Sequence, residues 1–154
     1  MRSPLAKTAF QATDLQRSHR AVLDEARESG ALIRDKDGLL LLLRPAEEVD
    51  RQESFLEIMW STVFIERVLQ RSPNDREPIM YGPYAWLSIL PEEDQKKFLE
   101  EVIDQLLVSK NSGSNAKLEQ LIEDWQVSAR TWSHEDLRTE LTKDLDQPLH
   151  DVTL

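Results

Sequence analysis

The chain has 154 residues, of which 40% are hydrophobic and 31% are charged, so it is long enough to bury the core of one medium domain or two small ones. Its formal net charge of −10 argues against passive binding of the whole molecule to nucleic acid or to an anionic membrane. Cysteine is absent, which excludes disulfides and thiolate metal sites, and the longest apolar run covers only residues 39–43, so we predict a soluble, cytoplasmic protein.

A strand and a helix are predicted to begin the chain. Residues 5–10 alternate weakly between apolar and polar side chains, as in a short strand. Apolar residues then recur at helical spacing between Thr13 or Asp14, either of which can cap the helix, and Gly30, which follows its end. This pattern predicts about four helical turns.

A β-hairpin is predicted next. Residues 31–34 and 39–44 are apolar runs that flank the segment Asp35-Lys36-Asp37-Gly38. Asp-Gly between two such runs is a strong hairpin signal because it tolerates the positive φ angles of tight turns. Pro45 then ends the second strand and can occupy the first position of a new helix.

The remaining chain is predicted to be helical. Residues 53–70 form a helix with apolar side chains on more than one side, which requires burial on several sides. Three prolines make residues 72–83 a loop, which is followed by a short helix at residues 84–90. Pro91 and the acidic residues after it then begin a long helix that carries a clear apolar stripe.

Residues 111–115 are predicted to be a flexible break within the helical region. Another apolar stripe follows the break, and Ser133 with Asp136 resembles the capping box of a last short helix. The tail, residues 144–154, is predicted to be mobile.

The predicted fold class is α+β, with two parts that differ in charge. Residues 1–50 form a small β-α-β-β unit, and residues 51–154 form a mainly α-helical region. Residues 1–51 contain nine basic and nine acidic side chains, whereas residues 52–154 contain ten basic and twenty acidic ones. All the excess negative charge lies in the helical region, which indicates that the two parts have different partners.

Motifs for enzyme chemistry are missing from the sequence. It contains no phosphate-binding glycine motif, no HExxH and no nucleophile elbow, and its three histidines lie in different segments. The pair Ser18-His19 and the run His134-Glu135-Asp136 consist of adjacent residues, which point in different directions on a helix. We therefore predict no catalytic residue, no metal site and no cofactor, and an enzyme is the least favoured interpretation.

Two sets of side chains are candidates for binding. The basic set, which would contact DNA phosphates, consists of Lys7, Arg17, Arg20, Arg34 and Lys36. A solvated helix face neutralised by neighbouring acids is the alternative for this set. The aromatic set, for which core packing and a partner interface are both open, consists of Trp60, Phe64, Tyr84, Trp86, Trp125 and Trp132.

Residues 6–49 resemble the N-terminal unit of the Phd/YefM family of bacterial antitoxins. The segment TDLQRSHRAVLDEA is similar to the first helix of that family, and ALIRDKDGLLLLL is similar to its strand, turn and strand. The resemblance implies a unit that forms dimers and binds DNA, in which Arg17 lies nearest to the DNA-contacting arginine. It also implies a C-terminal segment that wraps and neutralises a protein toxin. Asp35 departs from the family pattern, because it places an acid where a base would favour phosphate binding.

The leading hypothesis is an antitoxin of a type II toxin–antitoxin system. The acidic helical region would neutralise a cognate, basic toxin, and the N-terminal unit would bind operator DNA as a homodimer or a higher oligomer. No membrane partner is expected. The alternative is a helical protein-interaction module that dimerises through the N-terminal unit without binding DNA, which the balanced N-terminal charge and Asp35 favour.

Overall fold

The fold is described from a computed structural model for residues 9–134 and positions 139 and 142. Lys7, Asp136, the predicted start of the first strand and the predicted mobile tail lie outside the described residues. The predicted α+β class is confirmed, since a three-stranded sheet near the N-terminus is followed by a mostly helical region. None of the helices within the described residues is long and apolar enough to span a membrane.

The chain divides into two compact units between Ser54 and Phe55. In the N-terminal unit, one sheet has the strand order β1-β2-β3, with β1 parallel to β2 and β3 antiparallel to β2. Its elements are β1 (Ala9–Gln11), α1 (Asp14–Arg17), α2 (His19–Glu28), β2 (Ala31–Arg34) and β3 (Leu40–Leu43).

Ser18 interrupts the helix that was predicted as continuous, so two helices connect β1 to β2. Its backbone is not helical (φ −135°), yet its N–H donates to the carbonyl of Asp14 at 2.8 Å. The carbonyl of Ser18 in turn accepts the N–H of Val22 at 3.2 Å. Ser18 therefore ends α1 and begins α2.

One face of the sheet carries the small core of the N-terminal unit. Buried residues of α2 pack with buried residues of β2, and Phe10 and Leu43 pack partly against them. The register pairs Ile33 with Leu41, whereas Leu40 and Leu42 project from the opposite face, where each is about half exposed. The buried core residues are Val22, Ala26, Ala31 and Ile33.

The β2–β3 hairpin turns at Gly38, which has a φ of +84°. The N–H of Gly38 donates to the carbonyl of Asp35 at 2.9 Å, and the N–H of Asp35 donates to the carbonyl of Leu39 at 2.8 Å. A glycine at this left-handed position avoids the steric cost that a Cβ atom would carry.

The helical unit begins within α3, a helix of 24 residues that crosses the division between the two units. The segment predicted as a loop contains stretches of 3-10 helix that begin at Pro73 and Pro78, where a missing N–H costs nothing, and the second stretch is kinked by non-helical backbone at Gly82 (φ +56°) and Tyr84. Gly113 is left-handed and ends α4, so only residues 113–115 separate α4 from α5. The elements are α3 (Ala46–Leu69), the 3-10 helices Pro73–Asp75 and Pro78–Ile89, α4 (Glu92–Ser112) and α5 (Ala116–Ser133).

The core of the helical unit takes side chains from all of its long elements. Phe98, at 1% exposure, lies near its centre, and the surrounding side chains come from α3, the longer 3-10 helix, α4 and α5. Gln95 is also buried: its side-chain oxygen accepts the Tyr81 hydroxyl at 2.7 Å, and its nitrogen donates to the carbonyl of Leu90 at 2.7 Å. Both polar ends of this glutamine are thus satisfied, which offsets its removal from water.

Arg76 ties the end of α3 to the start of α4. Its side chain is only 7% exposed, and its guanidinium donates to the carbonyls of Leu69 and Arg71, at 2.7 and 2.8 Å. These carbonyls lie at the end of α3, where no further turn of helix supplies donors. The same guanidinium lies 3.6 Å from the carboxylate of Glu92, in the first turn of α4.

We expect Arg76→Ala to destabilise the helical unit by about 3 kcal/mol, because it leaves the carbonyls of Leu69 and Arg71 without their charged donor and removes one of the two cations beside Glu92. The matched control is Lys96→Ala, which removes an exposed partner of the same Glu92 carboxylate and should cost less than about 1 kcal/mol. Urea denaturation, monitored by tryptophan fluorescence, measures the loss of stability in each variant. The signal reports on the helical unit because all four tryptophans lie beyond residue 54. Equal losses in the two variants would contradict the role given to Arg76.

Candidate functional site

Four residues of the basic set lie at one end of the N-terminal sheet. Because β1 and β2 are parallel, the start of α1 and the hairpin turn both follow the carboxyl ends of these strands. Arg17 ends α1, Arg20 lies in the first turn of α2, Arg34 ends β2, and Lys36 lies in the hairpin turn; all four are exposed. The topology thus brings together residues that are far apart in the sequence, whereas Lys7 lies outside the described residues.

Three acidic residues lie at the same end of the sheet. The Asp14 carboxylate accepts the N–H of Gln11 at 2.8 Å, the Asp35 carboxylate accepts the N–H of Lys36 at 2.5 Å, and Asp37 lies in the turn. Across residues 9–134, none of the basic side chains at this end forms an ion pair with these acids. The surface therefore offers unpaired cations but only a small net positive charge.

Apolar side chains are also exposed on the N-terminal unit. Leu39 and the side chains of β3 that face away from the core are 48–61% exposed, and β3 is an edge strand. An open depression of about 220 Å³ lies between α2 and the end of β3, lined by Leu23, Ala26, Arg27, Leu43, Arg44 and Pro45. An exposed, apolar edge strand is a ready template for pairing with another chain.

Three residues of the aromatic set form a cluster with Phe98 in the core of the helical unit. Tyr84 and Trp86 have ring centroids 5.8 and 5.4 Å from Phe98, and Trp125 lies 6.0 Å from it, edge to face. The Trp125 Nε1 also donates to the Glu101 carboxylate at 2.8 Å. Sequence reasoning did not place Phe98 in this set, although its position on the apolar stripe of α4 could have indicated its contact with these rings.

The other aromatic residues are exposed. Trp60 and Phe64 are 56% and 60% exposed, with ring centroids 6.4 Å apart, and Trp132 on α5 is 38% exposed. Leu56 and Val63 are exposed at the same helical spacing, so that four apolar side chains share one side of α3. This surface, here called the α3 apolar face, consists of Leu56, Trp60, Val63 and Phe64.

The opposite side of α3 belongs to the core of the helical unit. Ile58, Ile65 and Val68 are buried there, and the Thr62 hydroxyl donates to the carbonyl of Ile58 at 2.7 Å. The apolar pattern of α3 predicts burial on several sides, but the single chain buries only this one. The α3 apolar face therefore consists of apolar side chains of the kind usually buried, yet these side chains are exposed to solvent.

The described residues contain no group of three or more His, Cys, Asp or Glu side chains that could hold a metal ion. Comparisons with protein-family models, with curated proteins and with solved structures give no match. The surfaces available for binding are the basic end of the sheet, the exposed β3 edge and the α3 apolar face.

Burial of Tyr84 predicts a loss of stability at high pH. Burial, with a smaller contribution from the charge of Glu57, raises the pKa of Tyr84 from 10.0 to about 12. Its neutral form therefore contributes stability that is full below pH 10 and declines as the pH rises toward 12, because the unfolded chain ionises first. Urea midpoints measured across this range should fall more steeply for the wild type than for Tyr84→Phe. Parallel curves would show that Tyr84 does not contribute to the pH dependence.

Proposed function

We propose that this protein is an antitoxin of a type II toxin–antitoxin system. Its N-terminal unit would form a dimer that binds operator DNA, and its helical unit would bind and neutralise a protein toxin. The observation that carries the proposal is the α3 apolar face, where a tryptophan and a phenylalanine are more than half exposed on a helix that is otherwise part of a core. Such exposed apolar surfaces typically mark protein interaction sites.

The charge of the helical region supports a basic partner. Residues 52–154 carry the whole net charge of −10, so their field would attract a positively charged protein, such as a toxin that cleaves RNA. Aromatic side chains at the centre of a contact would then supply most of the binding free energy. Acidic residues around them would accelerate association and disfavour acidic competitors.

Operator binding is the role we propose for the N-terminal unit. The resemblance of residues 6–49 to a Phd/YefM-like β-α-β-β unit supports this role, and so do the four exposed cations at one end of the sheet. Pairing of two units through exposed apolar surface at β3 would bring two such ends into one symmetric particle. A two-fold particle is expected to bind a palindromic DNA site.

A second candidate function is a protein-interaction module that dimerises without binding DNA. The observation that favours it is the presence of Asp14, Asp35 and Asp37 at the end of the sheet that carries the basic set. These carboxylates would lie close to any phosphate that the arginines contact, which weakens the attraction. The two candidates differ only in the N-terminal unit, so DNA binding discriminates between them.

Removal of Arg17 and Arg20 should weaken operator binding. If both contact phosphates, the double variant Arg17→Ala/Arg20→Ala lowers the slope of log affinity against log salt by roughly two. The control is Arg27→Ala, at the other end of α2, where the guanidinium already pairs with Asp24. Fluorescence anisotropy with DNA from upstream of the gene, at several salt concentrations, measures the slopes.

Unchanged binding by the double variant would reject this surface for DNA. If the wild-type protein does not bind that DNA at all but does co-purify with the product of the neighbouring gene, the protein-interaction module is selected instead.

Truncation of the α3 apolar face should weaken toxin binding. We expect Trp60→Ala/Phe64→Ala to reduce affinity for the neighbouring gene product by roughly 30-fold or more, the loss typical of two central aromatic contacts. Leu107→Ala/Val127→Ala is the matched control, since both residues are comparably exposed on α4 and α5. Isothermal titration calorimetry measures all three affinities. A larger loss in the control pair would place the toxin site elsewhere on the helical unit.

A further inference from the structure

The α3 apolar face carries opposite charges at its two ends. Glu57 precedes Trp60 by three residues, and Arg67 follows Phe64 by three, so these four residues lie along one side of the helix. Arg71, in the turn after α3, extends the basic end by a further four positions. All five side chains are exposed.

The order of these charges favours a partner that presents a base opposite Glu57 and an acid opposite Arg67. A uniformly basic surface would be repelled at Arg67 and Arg71, and a uniformly acidic one at Glu57. A second copy of α3 that runs antiparallel places Glu57 of each copy opposite Arg67 of the other. It also places apolar side chains opposite one another, so one antiparallel arrangement both pairs opposite charges and buries apolar side chains.

We propose that two copies of this chain associate through antiparallel pairing of their α3 apolar faces. Positions 57 and 67 are equally distant from position 62, and so are positions 60 and 64. A two-fold axis at that level therefore sets Glu57 opposite the partner's Arg67, and Trp60 opposite the partner's Phe64. The same surface is used by both copies, as in other two-fold contacts.

This pairing concerns the surface that the proposed function assigns to a toxin, but it requires no toxin. A toxin that binds the α3 apolar face has to displace the second copy, so toxin binding and self-association exclude each other at this face. The pairing is also separate from contacts of the N-terminal units, since all of its residues lie beyond residue 54.

Charge exchange in the full-length chain tests the proposal. Glu57→Arg and Arg67→Glu each create two repulsive contacts in the pair, so each variant should reduce the weight-average mass in sedimentation velocity by about half. The double variant Glu57→Arg/Arg67→Glu recreates both contacts with reversed sign and should restore the wild-type mass. The ratio is the same for a dimer paired at α3 alone and for a dimer of dimers; a dimer in which the same two chains pair at both contacts keeps its mass, and the cysteine test below identifies that case. Glu100→Arg, an exposed acid of α4, is the control and should leave the mass unchanged.

The antiparallel pairing would be overturned by single variants that keep the wild-type mass while Val63→Cys forms no disulfide-linked dimer, or by single variants of half mass whose double variant does not recover the wild-type mass. Circular dichroism of each variant establishes that the helices are retained. If self-association is unaffected while Trp60→Ala/Phe64→Ala still weakens toxin binding, this inference fails and the proposed function stands. If charge exchange restores the mass and no toxin binds, the inference stands and the proposed function fails.

A cysteine near the expected two-fold axis provides an independent test. The natural chain has no cysteine, so Val63→Cys introduces the only thiol. Mild oxidation should link two copies of this variant covalently, because disulfide formation requires Cα atoms within roughly 7 Å. Leu107→Cys, at an exposed position of α4, should remain unlinked under the same conditions. Linkage of both variants to the same extent, or of neither, would contradict the proposed contact.

Discussion

The core of the helical unit depends on one of the two apolar sides of α3. One side, with Ile58, Ile65 and Val68, completes the core that surrounds Phe98. The other side leaves Trp60 and Phe64 in contact with water. A sequence that only had to fold as one chain could place polar side chains there without loss of stability, so the second apolar side is best explained by association.

The stability of the N-terminal unit is limited by its small size. A unit of fewer than roughly 60 residues buries too little surface for high stability, and the buried core described here consists of four side chains with two partly buried neighbours. A second copy at the β3 edge could cover the exposed leucines of β3, with Leu41 on the side of this core and Leu40 and Leu42 on the opposite face. Dimer formation would thus serve stability as well as any DNA contact, which explains why both candidate functions include it.

Helices, strands and turns could be predicted from the sequence more accurately than the buried faces of the helices. Gly38 and Gly113 mark turns reliably because left-handed backbone favours glycine. The segment around Pro78 was predicted as a loop, since prolines indicate breaks but do not exclude 3-10 helices. Trp60 and Trp125 both lie on apolar stripes, and periodicity alone does not show that Trp125 packs on Phe98 while Trp60 is exposed. That distinction, like the burial of Arg76, depends on contacts between elements distant in sequence.

Net charge and local charge have different consequences for this chain. The −10 of residues 52–154 disfavours contact between two helical units at long range, yet charges separated by more than roughly 8 Å are largely screened at physiological ionic strength. In the proposed pair, Glu57 and Arg67 of the second copy would be a few Å apart, where the sign of each charge dominates. On the proposed functions, the net acidity would favour the approach of basic proteins, whereas the order of charges along α3 would determine which surface fits against its apolar face. A toxin that competed with a second copy for the α3 apolar face would lack the favourable contacts at Glu57 and Arg67, and would have to make up for them with additional apolar contact.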